Sequence, residues 1–227
     1  TMKPDLIILW LDKENWNDTN LPAPIRNLCQ YGLSVRYCDD IRSYKKHVPT
    51  LSLFPDDLVI TVDDDFYYSS KMVEKIYSGY LDHPNSIVTL RAHRVLFDTN
   101  GKRLPYEQWD MMQHDTAEGP LFATTGGGCL LQLSLLHNDT LKSELFLSLC
   151  PTADDVWFYF MALMQKTQIV VLPQWSVFMM IPMDVFYQKT HAQTSLQEVN
   201  RGLSANDRQI SAMMEHYNLI DKNLQQL

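Results

Sequence analysis

Three consecutive aspartates, Asp63, Asp64 and Asp65, directly follow the apolar run 58–62. Adjacent carboxylates repel one another, and burying an unpaired charge is expensive. Three of them at the C-terminal end of a strand, where open α/β sheets bind ligands, therefore indicate a cation. Carboxylate oxygens favour Mg²⁺ or Mn²⁺, and such an ion would hold a phosphorylated substrate. The alternative is a solvated turn, but the aromatic run 66–68 stands where turn residues are expected.

A second pair of carboxylates, Asp154 and Asp155, opens a predicted helix over 153–164. Thr152 and Asp155 have the spacing of a capping box, and acidic residues suit a helix N-terminus, so the pair could serve only to start the helix. A carboxylate at such a position is also rigidly placed, as a general base must be. Its combination with the aspartate run favours the catalytic interpretation.

Two further groups are weaker candidates. His191 lies in a polar stretch, where an exposed loop histidine is the simple interpretation; as a neutral imidazole it would complete a metal site begun by carboxylates. Asp40 and Lys46 lie just beyond the second predicted strand. They form either an ordinary charged surface or a pair that recognises a hydroxyl group and neutralises a phosphate.

The triple glycine Gly126, Gly127 and Gly128 is the last candidate. It matches neither the dinucleotide-binding nor the Walker pattern, so it does not by itself mark a nucleotide loop. Because glycine has no side chain, this segment could let the backbone approach a ligand closely.

The elements that must position these residues alternate along the first half of the chain. Apolar runs predict strands at 6–11, 33–37, 58–62, 86–90, 121–123 and 169–172. Helical patterns cover 21–31, 43–53, 69–81, 153–164 and 205–217, with Ser69 or Ser70 as the N-cap of the third. The β-α-β order predicts a parallel sheet with right-handed crossovers. The polar segment 98–120 is predicted to be a long surface loop.

Composition limits the class of protein. The chain has 227 residues, of which 45% are hydrophobic and 20% charged, which is typical of one globular domain. A net charge of -8 argues against binding nucleic acid along a basic face. No run approaches the roughly 18–20 apolar residues of a membrane span, and no signal peptide opens the chain, so we expect a soluble intracellular protein.

The ordered set of strand, Asp63–Asp65, glycine-rich segment and Asp154–Asp155 resembles the GT-A glycosyltransferases. The likeness is to bacterial enzymes of surface-polysaccharide assembly related to glycosyltransferase family 2. Segments 37–46 and 62–68 carry most of it, and 206–209 adds to it. The resemblance implies a single Rossmann-like α/β domain with a mixed, mostly parallel central sheet flanked by helices.

This domain would span 1–227, with a nucleotide-sugar half at 1–97 and an acceptor and catalytic-base half at 98–227. The fold usually begins with a strand and a short Ser/Thr-rich loop that contacts the nucleotide base. Here the first predicted strand corresponds to the second strand of that fold. We therefore expect the first strand to be missing from the sheet.

The resemblance also implies a metal-dependent donor site. Asp65 would ligate Mn²⁺ or Mg²⁺, Asp63 would contact the metal or the ribose, and His191 would be a late metal or diphosphate ligand. Asp64 would belong to the same nucleotide-binding set. The donor would be a UDP- or GDP-sugar.

On the same basis, Asp40 would contact the nucleoside and Lys46 the diphosphate. Asp155 would deprotonate the acceptor hydroxyl, with Asp154 assisting, and the reaction would invert the anomeric centre. The acceptor side would be lined by Gly126, Gly127, Gly128 and Trp157.

The implied function is sugar transfer to a saccharide or lipid-linked saccharide. The enzyme would be cytoplasmic or peripheral at the inner face of the membrane. Two alternatives remain open. A haloacid-dehalogenase-like phosphatase also carries Asp-x-Asp after an apolar strand, although Tyr67 stands where that family has Thr or Val. A catalytically inactive sugar- or metal-binding module would keep the sheet without turnover.

Overall fold

The computed structural model describes residues 1–112, 119–173, 180–182 and 204–225. The strands in these ranges are β1 (Ile7–Asp12), β2 (Leu33–Cys38), β3 (Val59–Val62), β4 (Phe66–Tyr68), β5 (Ile87–Thr89), β6 (Ala92–Arg94), β7 (Asp110–Met111), β8 (Leu121–Ala123), β9 (Gly127–Leu131), β10 (Ile169–Val171) and β11 (Met180–Pro182). The α-helices are α1 (Ala23–Cys29), α2 (Val48–Leu53), α3 (Met72–Asp82), α4 (Ser143–Leu149), α5 (Asp154–Gln165), α6 (Ala205–His216) and α7 (Asp221–Leu224).

The N-terminal strands form a parallel pair of their own. β1 and β2 pair in register from Ile7 opposite Leu33 to Asp12 opposite Cys38. Helix α1 crosses between them, and Gly32 after it has φ of 103°, which glycine adopts without steric cost. A 3₁₀ turn at Arg42–Lys46 and α2 follow β2, where the sequence predicted one continuous helix.

The central sheet is mixed, in the order β10-β5-β9-β3. β10 is parallel to β5, whereas β9 is antiparallel to both β5 and β3, so three of the four strands run in one direction. The sequence did not predict β9, because its two glycines lower the strand propensity. The mixed α/β class is confirmed, and the insertion of β9 is what makes the sheet mixed.

Smaller sheets surround this one. β11 pairs antiparallel with β4, and β6 lies between β7 and β8. The described part of the predicted surface loop over 98–120 is mostly exposed or half-exposed, but Trp109 is buried between a 3₁₀ turn and β7. Its indole Nε1 donates a hydrogen bond of 3.0 Å to the Leu104 carbonyl.

Helix α5 lies at the centre of the main core. Every residue from Val156 to Leu163 is buried, and a helix that is apolar on all sides must be enclosed by other elements. It packs against α6 and β8. The helix is therefore a fixed support for its first two residues, Asp154 and Asp155.

The start of α3 differs from the prediction. Its N-cap position is Lys71 rather than Ser69 or Ser70, and the carbonyl of Ser69 accepts the Met72 amide at 2.9 Å. The helix itself covers nearly the predicted span.

None of the helices within the described ranges is long and apolar enough to cross a membrane.

Candidate active site

A cavity of about 1730 Å³ opens at the C-terminal end of β3. Four segments meet there: the aspartate run, the 3₁₀ turn after β2, the turn between β8 and β9, and the first residues of α5. Asp63, Asp64, Asp65, Asp154 and Asp155 all border this cavity. Tertiary structure thus brings together the two carboxylate groups that the sequence singled out.

Lys46 links the two groups. Its Nζ lies 2.8 Å from Oδ1 of Asp63 and 3.2 Å from Oδ2 of Asp154. Burial opposes the ammonium charge, but Asp154, Asp155 and Asp63 outweigh it and raise the pKa of Lys46. The side chain is therefore a permanent cation in this site, and it offsets part of the repulsion among the carboxylates.

Asp155 is held by the turn before β9. Its Oδ1 accepts hydrogen bonds from the backbone N–H and the Oγ1 of Thr125, both at 2.7 Å. Burial and then repulsion from Asp154 raise the pKa of Asp155 to about 6. A carboxylate with such a pKa can accept a proton near neutral pH, as a general base requires.

The pKa of Asp154 is shifted in the opposite direction to that of Asp155. Burial disfavours its charge, but the charge of Lys46 and hydrogen bonds from Lys46 and Ser43 act together against burial, and the pKa of Asp154 is lowered. His47 lies behind it, with Nδ1 3.7 Å from Oδ2 of Asp154 and its ring 4.3 Å from that of Phe158. Burial and then Lys46 lower the pKa of His47 to about 3, so the imidazole is neutral. Asp154 is consequently the ionised partner of Lys46, and Asp155 is the carboxylate able to take a proton.

Gly126 fixes the position of Asp63. The Asp63 amide donates to the Gly126 carbonyl at 2.8 Å, and the hydroxyl of Tyr68 donates to the same carbonyl at 2.9 Å. A Cβ at position 126 would lie 1.8 Å from Oδ2 of Asp63. Only glycine lets the backbone at position 126 approach this closely. The group that it approaches is the Asp63 side chain rather than a ligand.

Asp64 and Asp65 lie at the exposed side of the site. Burial and then the charge of Asp63 raise the pKa of Asp65. Within the described residues, no three His, Cys, Asp or Glu side chains converge as a closed metal site. A Mg²⁺ ion that shares substrate phosphates needs only one or two protein carboxylates, so the predicted metal site at the aspartate run stays a prediction.

Gln209 on α6 is a positioning residue that the sequence analysis did not identify. Its Oε1 accepts the amides of Thr152 and Ala153 at 3.0 and 3.1 Å, and its Nε2 donates to Oγ1 of Thr152 at 3.0 Å. The alternative interpretation as a capping box is wrong, because Ala153 is the N-cap and no side chain makes a cap hydrogen bond to α5. In the sequence, the segment 206–209 stands out only through the family resemblance. The positioning role of Gln209 comes from its contact with the start of α5, which lies far away in the chain.

Three predicted site residues do not join the cavity lining. Trp157 was expected on the acceptor side but is fully buried, and its Nε1 donates to the Thr140 carbonyl at 3.1 Å. Gly128 faces the core, where a Cβ would lie 3.0 Å from Cδ1 of Leu90. Asp40 is exposed and binds the side chain of Lys45.

The remaining predicted positions are two glycines and His191. Gly126 and Gly127 do line the cavity. His191 lies outside the described residues, so its predicted role as a metal or diphosphate ligand stays a prediction.

No family model matches this chain, and no curated protein matches it.

Proposed function

We propose that this chain is a metal-dependent glycosyltransferase of GT-A type that transfers a sugar from a nucleotide-sugar donor to a saccharide hydroxyl with inversion. The observation that carries the proposal is the pairing of Asp155, whose pKa is raised to about 6, with a strand-end carboxylate group in one cavity. Glycosyl transfer needs a base for the acceptor hydroxyl and a cation that offsets charge on the leaving diphosphate, and the strand-end carboxylates would hold that cation.

Asp155 is the general base in this proposal. The acceptor hydroxyl gives its proton to Oδ2 of Asp155, since Oδ1 is engaged by Thr125. The hydroxyl oxygen attacks the anomeric carbon from the side opposite the leaving group. The bond from that carbon to the diphosphate oxygen breaks, and its electron pair leaves with the nucleoside diphosphate. Attack from the opposite side inverts the anomeric centre.

Lys46 and Asp154 support this step by charge. The ammonium of Lys46 stays positive and lies between the base helix and Asp63, so it counters negative charge that develops on the leaving diphosphate. Asp154 keeps Lys46 in place, and its own negative charge keeps the pKa of Asp155 high.

Asp65, with Asp63 or Asp64, would hold the metal. Mn²⁺ or Mg²⁺ bound there supplies electrostatic stabilisation to the diphosphate. The closeness of these carboxylates supports this assignment, because the charges of Asp63 and Asp64 contribute, after burial, to the raised pKa of Asp65. A UDP- or GDP-sugar as donor, a saccharide or lipid-linked saccharide as acceptor, and a cytoplasmic or peripheral membrane location belong to the same proposal.

The test is a panel of UDP- and GDP-sugars assayed for release of nucleoside diphosphate with Mn²⁺, with Mg²⁺ and with EDTA. We expect metal-dependent turnover of at least one donor. Asp65→Ala should abolish metal-dependent donor binding in calorimetry, while Asp56→Ala, which removes an exposed carboxylate outside the cavity lining, should not.

Other outcomes of this experiment identify the alternatives. Cleavage of p-nitrophenyl phosphate without turnover of any nucleotide sugar would favour the phosphatase. Donor binding without hydrolysis or transfer, even with saccharide acceptors present, would favour an inactive binding module.

A further inference from the structure

The cavity wall beside Asp155 carries an arginine whose head group has no partner among the described residues. Arg91 follows β5, is half-buried and lines the cavity. No hydrogen bond or ion pair with another described residue engages its guanidinium. Arg42, the other arginine in the described lining, donates to the Pro151 carbonyl at 2.8 Å. Arg91 therefore has its N–H donors available for a ligand.

Backbone hydrogen bonds place Arg91 next to the turn that holds Asp155. The Arg91 carbonyl accepts the amide of Thr124 at 3.0 Å, and the next residue, Thr125, binds Oδ1 of Asp155. A Cβ at Gly127 would lie 3.1 Å from Cβ and 3.3 Å from Cδ of Arg91, so the side chain runs along this turn. The arginine and the proposed base are thus attached to the same turn between β8 and β9.

The central sheet separates Arg91 from the aspartate run. Strand β9 lies between β3, which ends just before Asp63, and β5, which ends two residues before Arg91. Neighbouring strands are about 4.8 Å apart, which puts the backbones of Asp63 and Arg91 about 10 Å apart. Lys46, the cation at Asp63, is already close to the proposed diphosphate position. This separation favours a second anion, rather than the diphosphate, as the partner of Arg91.

An aromatic wall continues from Arg91. His93 also lines the cavity, whereas Ala92 between them is buried in the core. Because successive residues of an extended segment point to opposite faces, Arg91 and His93 lie on one face. The ring of Tyr106, another lining residue, is 5.4 Å from that of His93. These rings offer an apolar surface to the C–H face of a sugar.

Asn206 borders this wall from helix α6. Its neighbour Asp207 accepts the Tyr106 amide at 3.1 Å, and Gln209, on the same helix face as Asn206, binds Thr152 at the start of α5. Oδ1 of Asn206 is buried and has no hydrogen-bond partner within the described part of the chain, and the residue lines the cavity. A buried acceptor without a partner is costly, so we expect it to accept a hydrogen bond from a ligand.

We propose that Arg91, Asn206 and Tyr106 form a subsite for an acidic saccharide, in which Arg91 binds the carboxylate or phosphate group of the sugar. The guanidinium matches such a group with two parallel hydrogen bonds. Oδ1 of Asn206 accepts a hydrogen bond from a sugar hydroxyl, and the Tyr106 ring covers one face of the sugar. Without Arg91, the carboxylates around Asp155 would repel an anionic ligand. The inference rests on the proposed function, because it names the class of acceptor that Asp155 would deprotonate.

The test compares charged and neutral sugars by NMR titration of the full chain. The probes are methyl β-D-glucuronide, glucose-6-phosphate and the neutral methyl β-D-glucoside. At least one anionic sugar should bind at least about tenfold more tightly than the glucoside. Arg91→Gln should abolish this preference. Arg94→Gln removes the same charge on the next strand, outside the cavity lining, and should keep it.

Two further measurements separate the roles of the residues. Asn206→Ala should weaken binding of the charged and neutral sugars by the same factor, because its partner is a hydroxyl group. Binding of UDP and GDP with Mg²⁺, measured by calorimetry, should be the same in Arg91→Gln and the unaltered chain. Circular dichroism checks that the three variants fold.

The inference is overturned if anionic and neutral sugars bind equally or not at all, or if Arg94→Gln removes the preference as fully as Arg91→Gln does. It is also overturned if Arg91→Gln weakens nucleotide binding instead of saccharide binding, which would assign Arg91 to the diphosphate. An anion preference without any sugar transfer would count against the proposed function alone. Transfer to neutral acceptors only would count against this inference alone.

Discussion

Asp154 and Asp155 are adjacent in sequence, yet their surroundings shift the two pKa values in opposite directions. Lys46 lies 3.2 Å from Asp154 and lowers its pKa, whereas burial and the neighbouring charge raise that of Asp155 to about 6. Carboxylates whose environments separate their pKa values in this way commonly divide catalytic roles. Asp154 is therefore the carboxylate that pairs with Lys46, and Asp155 is the one proposed to accept the proton.

The first prediction at the residue scale concerns the pH dependence of transfer. If Asp155 is the base, kcat/KM should fall as the pH drops through about 6, because the carboxyl becomes protonated. Asp155→Asn should lose roughly 10²–10⁴-fold in kcat and lose this limb of the profile. Nucleotide affinity, measured by calorimetry, should be kept. A variant with full activity and an unchanged profile would exclude Asp155 as the base.

A second residue-scale prediction follows from the approach of Gly126 to Asp63. Gly126→Ala should displace the Asp63 carboxylate from Lys46 and lower nucleotide affinity, since the added Cβ would lie 1.8 Å from Oδ2. The double variant Gly126→Ala/Asp63→Ala should bind no more weakly than Asp63→Ala alone, because the clash is gone. Additive losses in calorimetry would show that Gly126 acts independently of Asp63.

At the scale of elements, the site depends on how helix α5 is anchored. The buried body of α5 fixes its axis, and Gln209 of α6 binds the amides of Thr152 and Ala153 at its start. These amides have no partner within the helix, so an outside acceptor satisfies them. Asp155, the proposed base, is thus positioned by two helices that meet only in the folded chain.

Gln209→Leu should therefore reduce both stability and kcat. Loss of the buried acceptor should cost roughly 1–3 kcal/mol of unfolding free energy in denaturant titrations. The kcat for transfer should fall while nucleotide affinity stays, because Asp63 and Asp65 lie in the connection between β3 and β4, away from α5 in the chain.

Two variants serve as controls for Gln209. Gln209→Glu keeps the acceptor oxygens and should restore part of kcat, which a loss of packing alone would not explain. Arg208→Ala changes an exposed neighbour and should have little effect. Equal kcat for Gln209→Leu and the unaltered chain would remove the positioning role.

At the scale of the whole molecule, the carboxylates of the site make the free energy of unfolding depend on pH. A group whose pKa is raised on folding stabilises the protein at low pH, and this contribution is lost as the pH rises through the folded value. For Asp155 the pKa rises from 3.8 to about 6, so its ionised form at neutral pH destabilises the fold. The proposed catalytic role of Asp155 therefore opposes stability.

Asp155→Asn should accordingly raise Tm at pH 8 by about 3 °C, equivalent to roughly 1 kcal/mol after allowance for partial exposure. At pH 4 the difference should nearly vanish, because Asp155 is then protonated in the folded chain. Scanning calorimetry at the two pH values measures this. Asp56→Asn is the control, and a lower Tm for Asp155→Asn at pH 8 would contradict the sign.

Part of the order of strands and helices, and the placement of carboxylates at a strand end and a helix start, were accessible from the sequence by itself. Hydrophobic periodicity and turn residues are local properties, and they indicated β3 and α5 within a residue or two. The same local signals failed at β9, where glycines concealed a strand, and at Trp157, which is as suited to a core as to a binding surface.

The tertiary structure decided how these parts combine. It placed Lys46 between Asp63 and Asp154, set Thr125 against Asp155, and brought Gln209 to the start of α5. These contacts join residues far apart in the chain, and they depend on sheet order and helix packing. Since local patterns do not encode which distant segments meet, only the folded chain could show which aspartate is paired and which is left to take a proton.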